Sequence, residues 1–303
     1  MPEVDSQFGI NDCHKLTKKK FSKKNITKKI NKLSSPNKIK NIILFPHMLG
    51  QSKPGVEKGP AAIEKYIGKK HKITSLHLPG NLYKNLQMLY KANNAISGRR
   101  INIGGDHSMS IATIAYTLNQ YPDAKVVYFD AHADINTYDR SNSKHYHGMD
   151  LAFLTGIDKD KRFPFIKNKL KFENLLYIGS RCFDIFEIDI VKKYNIKYII
   201  PEQINNDYNQ MFAQIADFIK DRPFHLSFDI DSIDPKYTPS TGTPVKGGIT
   251  LKNATNIVNY LYTQNIVNVD ITELFIRLNN KKDTKLTNRT ILNTVKLFKK
   301  YIE

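Results

Sequence analysis

Asp130, His132 and Asp134 alternate with Ala131 and Ala133 directly after the apolar run Val126-Val127-Tyr128-Phe129. Continued as a strand, this stretch turns all three ligand-type side chains to one side, because successive strand residues point to opposite faces. The two alanines are too small to obstruct them. Carboxylates with imidazole and no thiolate favour Mn, Fe or Zn over Cu(I) or an iron–sulfur cluster. The plainer alternative for such a triplet is a solvated polar strand end.

Two more clusters follow apolar strands in the same way. Asp229 and Asp231 stand two apart after Phe224–Phe228, and His107 follows Arg100–Ile103 and the pair Gly104-Gly105. Glycines at that point let the backbone leave the strand sharply. Six ligands, four of them carboxylates, suit two divalent ions better than one, and paired ions lower the pKa of a shared hydroxide. Such a centre hydrolyses a resistant electrophile. Asp234-Pro235 reads as the turn after the last cluster, not as part of it.

These residues need a scaffold that brings strand ends together. After a lysine-rich arm at 1–40, the chain alternates strands and helices. Strands are expected at 42–45, 100–103, 125–129, 175–178, 197–200, 224–228 and 266–269. Helices are expected from Gly59-Pro60 to Tyr66 and at 82–97, 109–119, 185–194, 209–220, 251–264 and 287–301. This pattern predicts an α/β fold, a three-layer α/β/α sandwich around a central, mainly parallel sheet in residues 41–303. Ligands in such sheets collect outside the carboxyl ends of the strands, where every cluster here lies.

The chain of 303 residues is 40% hydrophobic and carries two cysteines, which fits a reducing compartment and no disulfide scaffold. No apolar run approaches the ~20 residues of a membrane span. The net charge is +19, from 47 basic and 28 acidic residues. The arm at 1–40 has lysine runs but no arginine and no apolar core, so it reads as neither a mitochondrial nor a secretory leader, and the cytosol is the default location. It reads as a poorly ordered or marginally helical segment of a kind that binds nucleic acid or anionic membrane. Because the whole chain is rich in Lys, Asn and Ile, compositional bias is the simpler account, and neither is expected as a partner.

The motifs Gly104-Gly105-Asp106-His107-Ser108, Asp130-Ala131-His132-Ala133-Asp134 and Ser227-Phe228-Asp229-Ile230-Asp231-Ser232-Ile233-Asp234-Pro235 resemble, in order, the three signatures of the ureohydrolases. This family contains arginase, agmatinase and formiminoglutamase, and the resemblance spans residues 42–275. It implies two Mn2+ per subunit held by His107, Asp130, His132, Asp134, Asp229 and Asp231, with Asp134 or Asp229 bridging. It also implies a trimeric or hexameric homo-oligomer and a small guanidino substrate.

Several stretches resemble arginase in particular: Gly50-Gln51 with Gly55-Val56-Glu57-Lys58-Gly59-Pro60, Asp134-Ile135-Asn136-Thr137, and Ile178-Gly179-Ser180-Arg181-Cys182-Phe183-Asp184. By that resemblance Asn136 and Ser143 contact the substrate α-carboxylate and Asp184 its α-amino group, while Glu273 binds the guanidinium. A bridging hydroxide then attacks the guanidinium carbon, Asp134 passes a proton to the leaving amine and His147 shuttles protons. The implied reaction is L-arginine and water to L-ornithine and urea. Alternatives are agmatine or another guanidino acid as substrate, and a weakly active member kept as a binding protein. Taken singly, Asn136 and Ser143 also suit turns, Asp184 a helix N-cap, His147 a packed loop and Glu273 the surface. The chain departs from the arginase pattern at His145, where asparagine is usual, and at Leu274-Phe275, where Asn-Pro is usual.

Overall fold

In a computed structural model that describes residues 39–303, eight strands form one sheet in the order β2-β1-β3-β8-β7-β4-β5-β6. They are β1 Asn41–Phe45, β2 Lys72–Ser75, β3 Arg100–Gly104, β4 Lys125–Phe129, β5 Leu175–Ile178, β6 Lys197–Ile199, β7 Phe224–Asp229 and β8 Ile266–Thr272. Every neighbouring pair is parallel. The helices are α1 Gly59–Glu64, α2 Leu82–Ala95, α3 Ser110–Gln120, α4 Asp150–Thr155, α5 Ile185–Lys193, α6 Pro201–Asn206, α7 Tyr208–Ile219, α8 Leu251–Tyr262, α9 Lys281–Leu297 and α10 Lys299–Ile302. The assignment of residues 1–40 to a basic arm falls almost wholly outside the described residues. Among these, no helix is long and apolar enough to cross a membrane.

β1, β4 and β5 read as near-continuous apolar runs because both faces are covered. Ile42, Leu44, Val127, Phe129, Leu176 and Ile178 enter one core with Ile215 of α7, Ile257 of α8 and Leu297 of α9. Their neighbours Ile43, Phe45, Val126, Tyr128, Leu175 and Tyr177 enter the other with Leu86 of α2, Ile114 of α3, Leu151 of α4 and Val191 of α5. Alternation of side chains thus feeds two cores from each strand, which completes the α/β/α sandwich.

Three elements escape the sequence pattern. β2 has the sequence Lys-Ile-Thr-Ser and sits mostly exposed at the sheet edge, so no apolar run marks it. α4 and α6 have six residues each, too short for helical periodicity. The C-terminal helix starts at Lys281 instead of 287, because its first turn is polar and is set by Asn280, whose side chain accepts from Asp283 N–H at 2.9 Å.

The pair Gly104-Gly105, where β3 ends, is required by contact, not by dihedral angle. Neither residue has positive φ. A Cβ at Gly105 would lie 1.7 Å from the His47 carbonyl oxygen, and Asp106 N–H donates to that same oxygen at 3.0 Å. Only a residue without a side chain lets the β1 and β3 loops lie so close, and that approach sets the height at which His107 leaves the sheet.

Candidate metal centre

The candidate ligands stand at the ends of β3, β7 and β4, and Glu273 follows β8; these four strands lie side by side in the centre of the sheet. Asp130, His132 and Asp134 are not strand residues: β4 ends at Phe129. Alternation therefore does not aim them. The loop does, with Asp134 in the left-handed region at φ 48° and its carbonyl accepting Leu151 N–H at 3.0 Å. Asp229 ends β7 and Asp231 lies in the short turn Ile230–Ser232.

Two triads emerge, His107/Asp130/Asp229 and Asp130/His132/Asp231, each with ligand atoms within 4.8 Å of one another. His107 Nδ1 lies 2.8 Å from Asp130 Oδ2, 3.1 Å from Asp134 Oδ2 and 3.5 Å from Asp229 Oδ2. His132 Nδ1 lies 3.1 Å from Asp231 Oδ2 and 3.4 Å from Asp130 Oδ1. Asp130, with one oxygen toward each histidine, is the carboxylate shared by both triads. Asp229 belongs to the His107 triad and Asp134 to neither. Asp134 instead lies on the His107 side, where its Oδ2 accepts Tyr128 O–H at 3.1 Å.

The donors fit a pair of divalent ions. Asp130 Oδ2 is fully buried and has no aligned hydrogen bond despite its closeness to His107. A buried oxygen without a partner costs free energy unless a cation takes the place of one. Burial and the charges of Asp134 and Asp231 push the Asp130 carboxyl up to about 7. Burial also tends to raise Asp231, but His132, the Ala131 N–H and Arg181 bring it down to about 2. Arg181 holds this corner by donating to the carbonyls of Gly179, Asp231 and Val245 at 2.8, 2.9 and 2.6 Å. Asp234 stays outside the triads and accepts Lys236 and Gly248 N–H at 3.0 and 3.1 Å, as a turn former does.

Glu273 follows β8 and is 2% exposed, so it is no surface carboxylate. Its φ is 63°, held by its N–H donating to the Gly105 carbonyl at 2.8 Å. Oε1 accepts His107 N–H at 3.0 Å and faces His147 Nδ1 at 3.1 Å, while Oε2 is buried with no partner. Burial alone would lower the His147 pKa, but the Glu273 carboxylate outweighs it and holds His147 at about 9.

Asn136 is buried and donates Nδ2–H to Asp184 Oδ2 at 2.7 Å. Asp184 occupies the N-cap of α5, with its N–H donating to Glu187 Oε2 at 2.9 Å, so the capping role and the contact with Asn136 coexist. Among the described residues, Ser143 makes no hydrogen bond to these two. Its exposed hydroxyl is bonded within its own loop, to Ser141 Oγ and His145 N–H, each at 3.3 Å. Sequence reading also missed Tyr128 and Asp150. The Tyr128 hydroxyl lies 3.0 Å from Asp150 Oδ2 and 3.2 Å from His107 Nδ1, with both side chains buried. A tyrosine inside an apolar strand and an aspartate opening a short helix leave no spacing to detect.

Protons and cations compete for these groups. The raised pKa values of Asp130 at about 7 and His147 at about 9 mean that the folded, metal-free chain binds more protons than the unfolded one. Their contribution to stability is present at low pH. It declines from about 4 to 7 for Asp130 and from about 6.5 to 9 for His147. A cation displaces the Asp130 proton, so the rise in Tm on adding Mn2+ is expected to grow from pH 5 to pH 8. Thermal scans with and without Mn2+ check this, and an increment that shrinks with pH would contradict it.

The Arginase family model matches residues 41–298 of this chain. Hepatic arginase of Aquarana catesbeiana is 34% identical over 287 residues, covering 82% of this chain and 89% of the relative. Arginase from Bacillus subtilis superposes with a TM-score of 0.74 at 28% identity, covering 85% of this chain and 98% of that structure. Entamoeba histolytica arginase, solved with L-ornithine, gives a TM-score of 0.75 at 27% identity over 86% of this chain and 98% of its own. With its three signatures converged on one pair of metal triads, the chain belongs to the arginase family and is a hydrolase of guanidino-type substrates.

Proposed function

We propose that this enzyme is an arginase, which converts L-arginine and water to L-ornithine and urea at a site holding two Mn2+. The single observation that carries the reading is the buried, unpartnered Oε2 of Glu273 beside the two triads. A guanidinium keeps its charge at any physiological pH and offers N–H donors in a planar fork, the partner such an oxygen lacks. When bound, the two ions supply a hydroxide at neutral pH and polarise the group under attack.

The side chains do the rest. Glu273 orients the guanidinium over the triads. His147 holds a proton at Nδ1 against Glu273 and shuttles protons, while Asp134 passes one to the departing δ-amine. Asn136 reads the α-carboxylate: one of its two Nδ2 hydrogens goes to Asp184, and the second has no partner. Asp184 then faces the α-amino group. Residence in the cytosol and assembly as a trimer or hexamer belong to the same reading.

Urea release from L-arginine and agmatine, assayed side by side, tests the substrate. Agmatine lacks the carboxylate that Asn136 would bind. Asn136→Ala is therefore expected to lower kcat/KM for arginine about 10–100-fold, the worth of one hydrogen bond to a charged group, and to leave agmatine unchanged. Wild-type preference for agmatine would keep the metal site and overturn the head-group assignment.

A further inference from the structure

Behind the metal centre lies a second polar assembly that the reaction leaves unused. Asp270 of β8 is fully buried and is surrounded by four donors. Asn102 Nδ2 donates to its Oδ1 at 2.8 Å. Its Oδ2 accepts from Ser110 Oγ at 3.2 Å, from Thr113 Oγ1, and from His225 Nε2 at 3.0 Å. Ser110 Oγ lies 3.1 Å from Ser227 Oγ, and Ser227 Oγ lies 2.8 Å from Nε2 of His107. Ser110, Ser227, His225 and His107 are all fully buried, so water does not interrupt the series.

The direction of this chain follows from its end. A carboxylate only accepts, and a serine hydroxyl has a single proton. Ser110 therefore spends its proton on Asp270 and can only accept from Ser227. Ser227 spends its proton on Ser110 and can only accept from His107. Nε2 of His107 must then carry hydrogen, which leaves the lone pair on Nδ1, the nitrogen facing Asp130, Asp134 and Asp229. Turning any hydroxyl round would set two buried lone pairs against each other, an arrangement that costs as much as a lost buried hydrogen bond. We infer that Asp270 is a positioning residue: through Ser110 and Ser227, its charge fixes the His107 tautomer that presents Nδ1 to a metal ion. This rests on reading His107 as a metal ligand, and it does not depend on which guanidino compound is the substrate.

Asp270→Asn gives the sharpest test. With its amide oxygen kept against the Asn102 donor, the new NH2 faces Ser110 and donates to it. The whole chain then reverses and drives hydrogen onto Nδ1 of His107. Calorimetric titration of the full-length metal-free protein with Mn2+ is expected to show one of the two sites weakened about 10–100-fold, the usual scale for an outer hydrogen-bond partner of a metal ligand. In 15N-histidine-labelled protein titrated with Zn2+, the His107 nitrogen shifts are expected to move away from the Nε2–H form. A loss of packing alone would not produce that spectroscopic change.

Should Asp270→Asn fail to fold, Ser110→Ala cuts one link and leaves Asp270 its other three donors. The same weakening and a mixed tautomer signal are expected. Either variant, folded, with wild-type Mn2+ affinity and His107 still protonated at Nε2 would overturn the inference. Wild-type protein that binds no Mn2+ would overturn it together with the metal reading. Wild-type protein that binds Mn2+ and shows the tautomer dependence, yet releases no urea, would uphold it and overturn the substrate alone.

Discussion

Asp130→Ala is expected to release urea from L-arginine at least about 1,000-fold more slowly than wild type, and to lose the uptake of two Mn2+ per chain. Asp130 is the one residue common to both triads, so its removal takes a ligand from each. A metal ion acting as a Lewis acid supplies several kcal/mol to a transition state, and each 1.36 kcal/mol is a factor of ten in rate. The same change is expected to leave the metal-free protein at pH 8 as stable as wild type or more so. Burial and the neighbouring charges of Asp134 and Asp231 make the ionised Asp130 costly to the fold. Loss of activity and gain of metal-free stability in one variant mark a residue kept for its cations. Two Mn2+ retained with activity within tenfold of wild type would sink the assignment.

Glu273→Gln is the second large effect, and it separates substrate binding from metal binding. The amide keeps an oxygen for His107 N–H and removes the charge. Depriving a buried ion pair of one partner costs about 3–5 kcal/mol, which places the fall in kcat/KM for arginine at roughly 100- to 1,000-fold or more. Mn2+ affinity should be little altered, because Glu273 belongs to neither triad. His147 loses the carboxylate that outweighs its burial, so its pKa should drop from about 9 and the pH profile of kcat/KM should shift with it. Calorimetry and a pH series on one preparation check both. Unchanged arginine turnover would transfer the guanidinium to some other group.

The fold was legible where strands are buried on both faces. β4 and β5 are runs of apolar residues, β3 and β7 carry apolar residues at alternate positions, and their placement followed directly. β2 was not, since an exposed edge strand with lysine at its first position needs no apolar run. The site was legible for a similar reason: two-residue spacings of Asp and His directly after such runs are conspicuous. The local argument for them still failed at Asp130–Asp134, where a loop with one left-handed residue aims the side chains, not strand alternation. Glu273 could be named but not seen as buried, because its surroundings come from the β3 loop and from His147, distant in sequence. Asp150, Tyr128 and Asp270 gave no signal at all. Tyr128 lies in an apolar strand, Asp150 opens a short helix and Asp270 shares its strand with the polar Asn268 and Thr272, and the purpose of each exists only through partners from other strands and helices.

One consequence follows from where the loops arise. The cation ligands sit on the ends of central strands of the sheet, while Ser143 and Lys144 ride an exposed segment that leads through half-buried His145 to His147, the two rings 5.8 Å apart. Mutational drift is thereby partitioned. On the proposed reading, changes at the strand ends alter whether any molecule reacts, and changes in the outer segment alter which molecule is admitted. Under that reading, a change of guanidino substrate requires substitutions only in the outer segment and leaves the cation ligands in place.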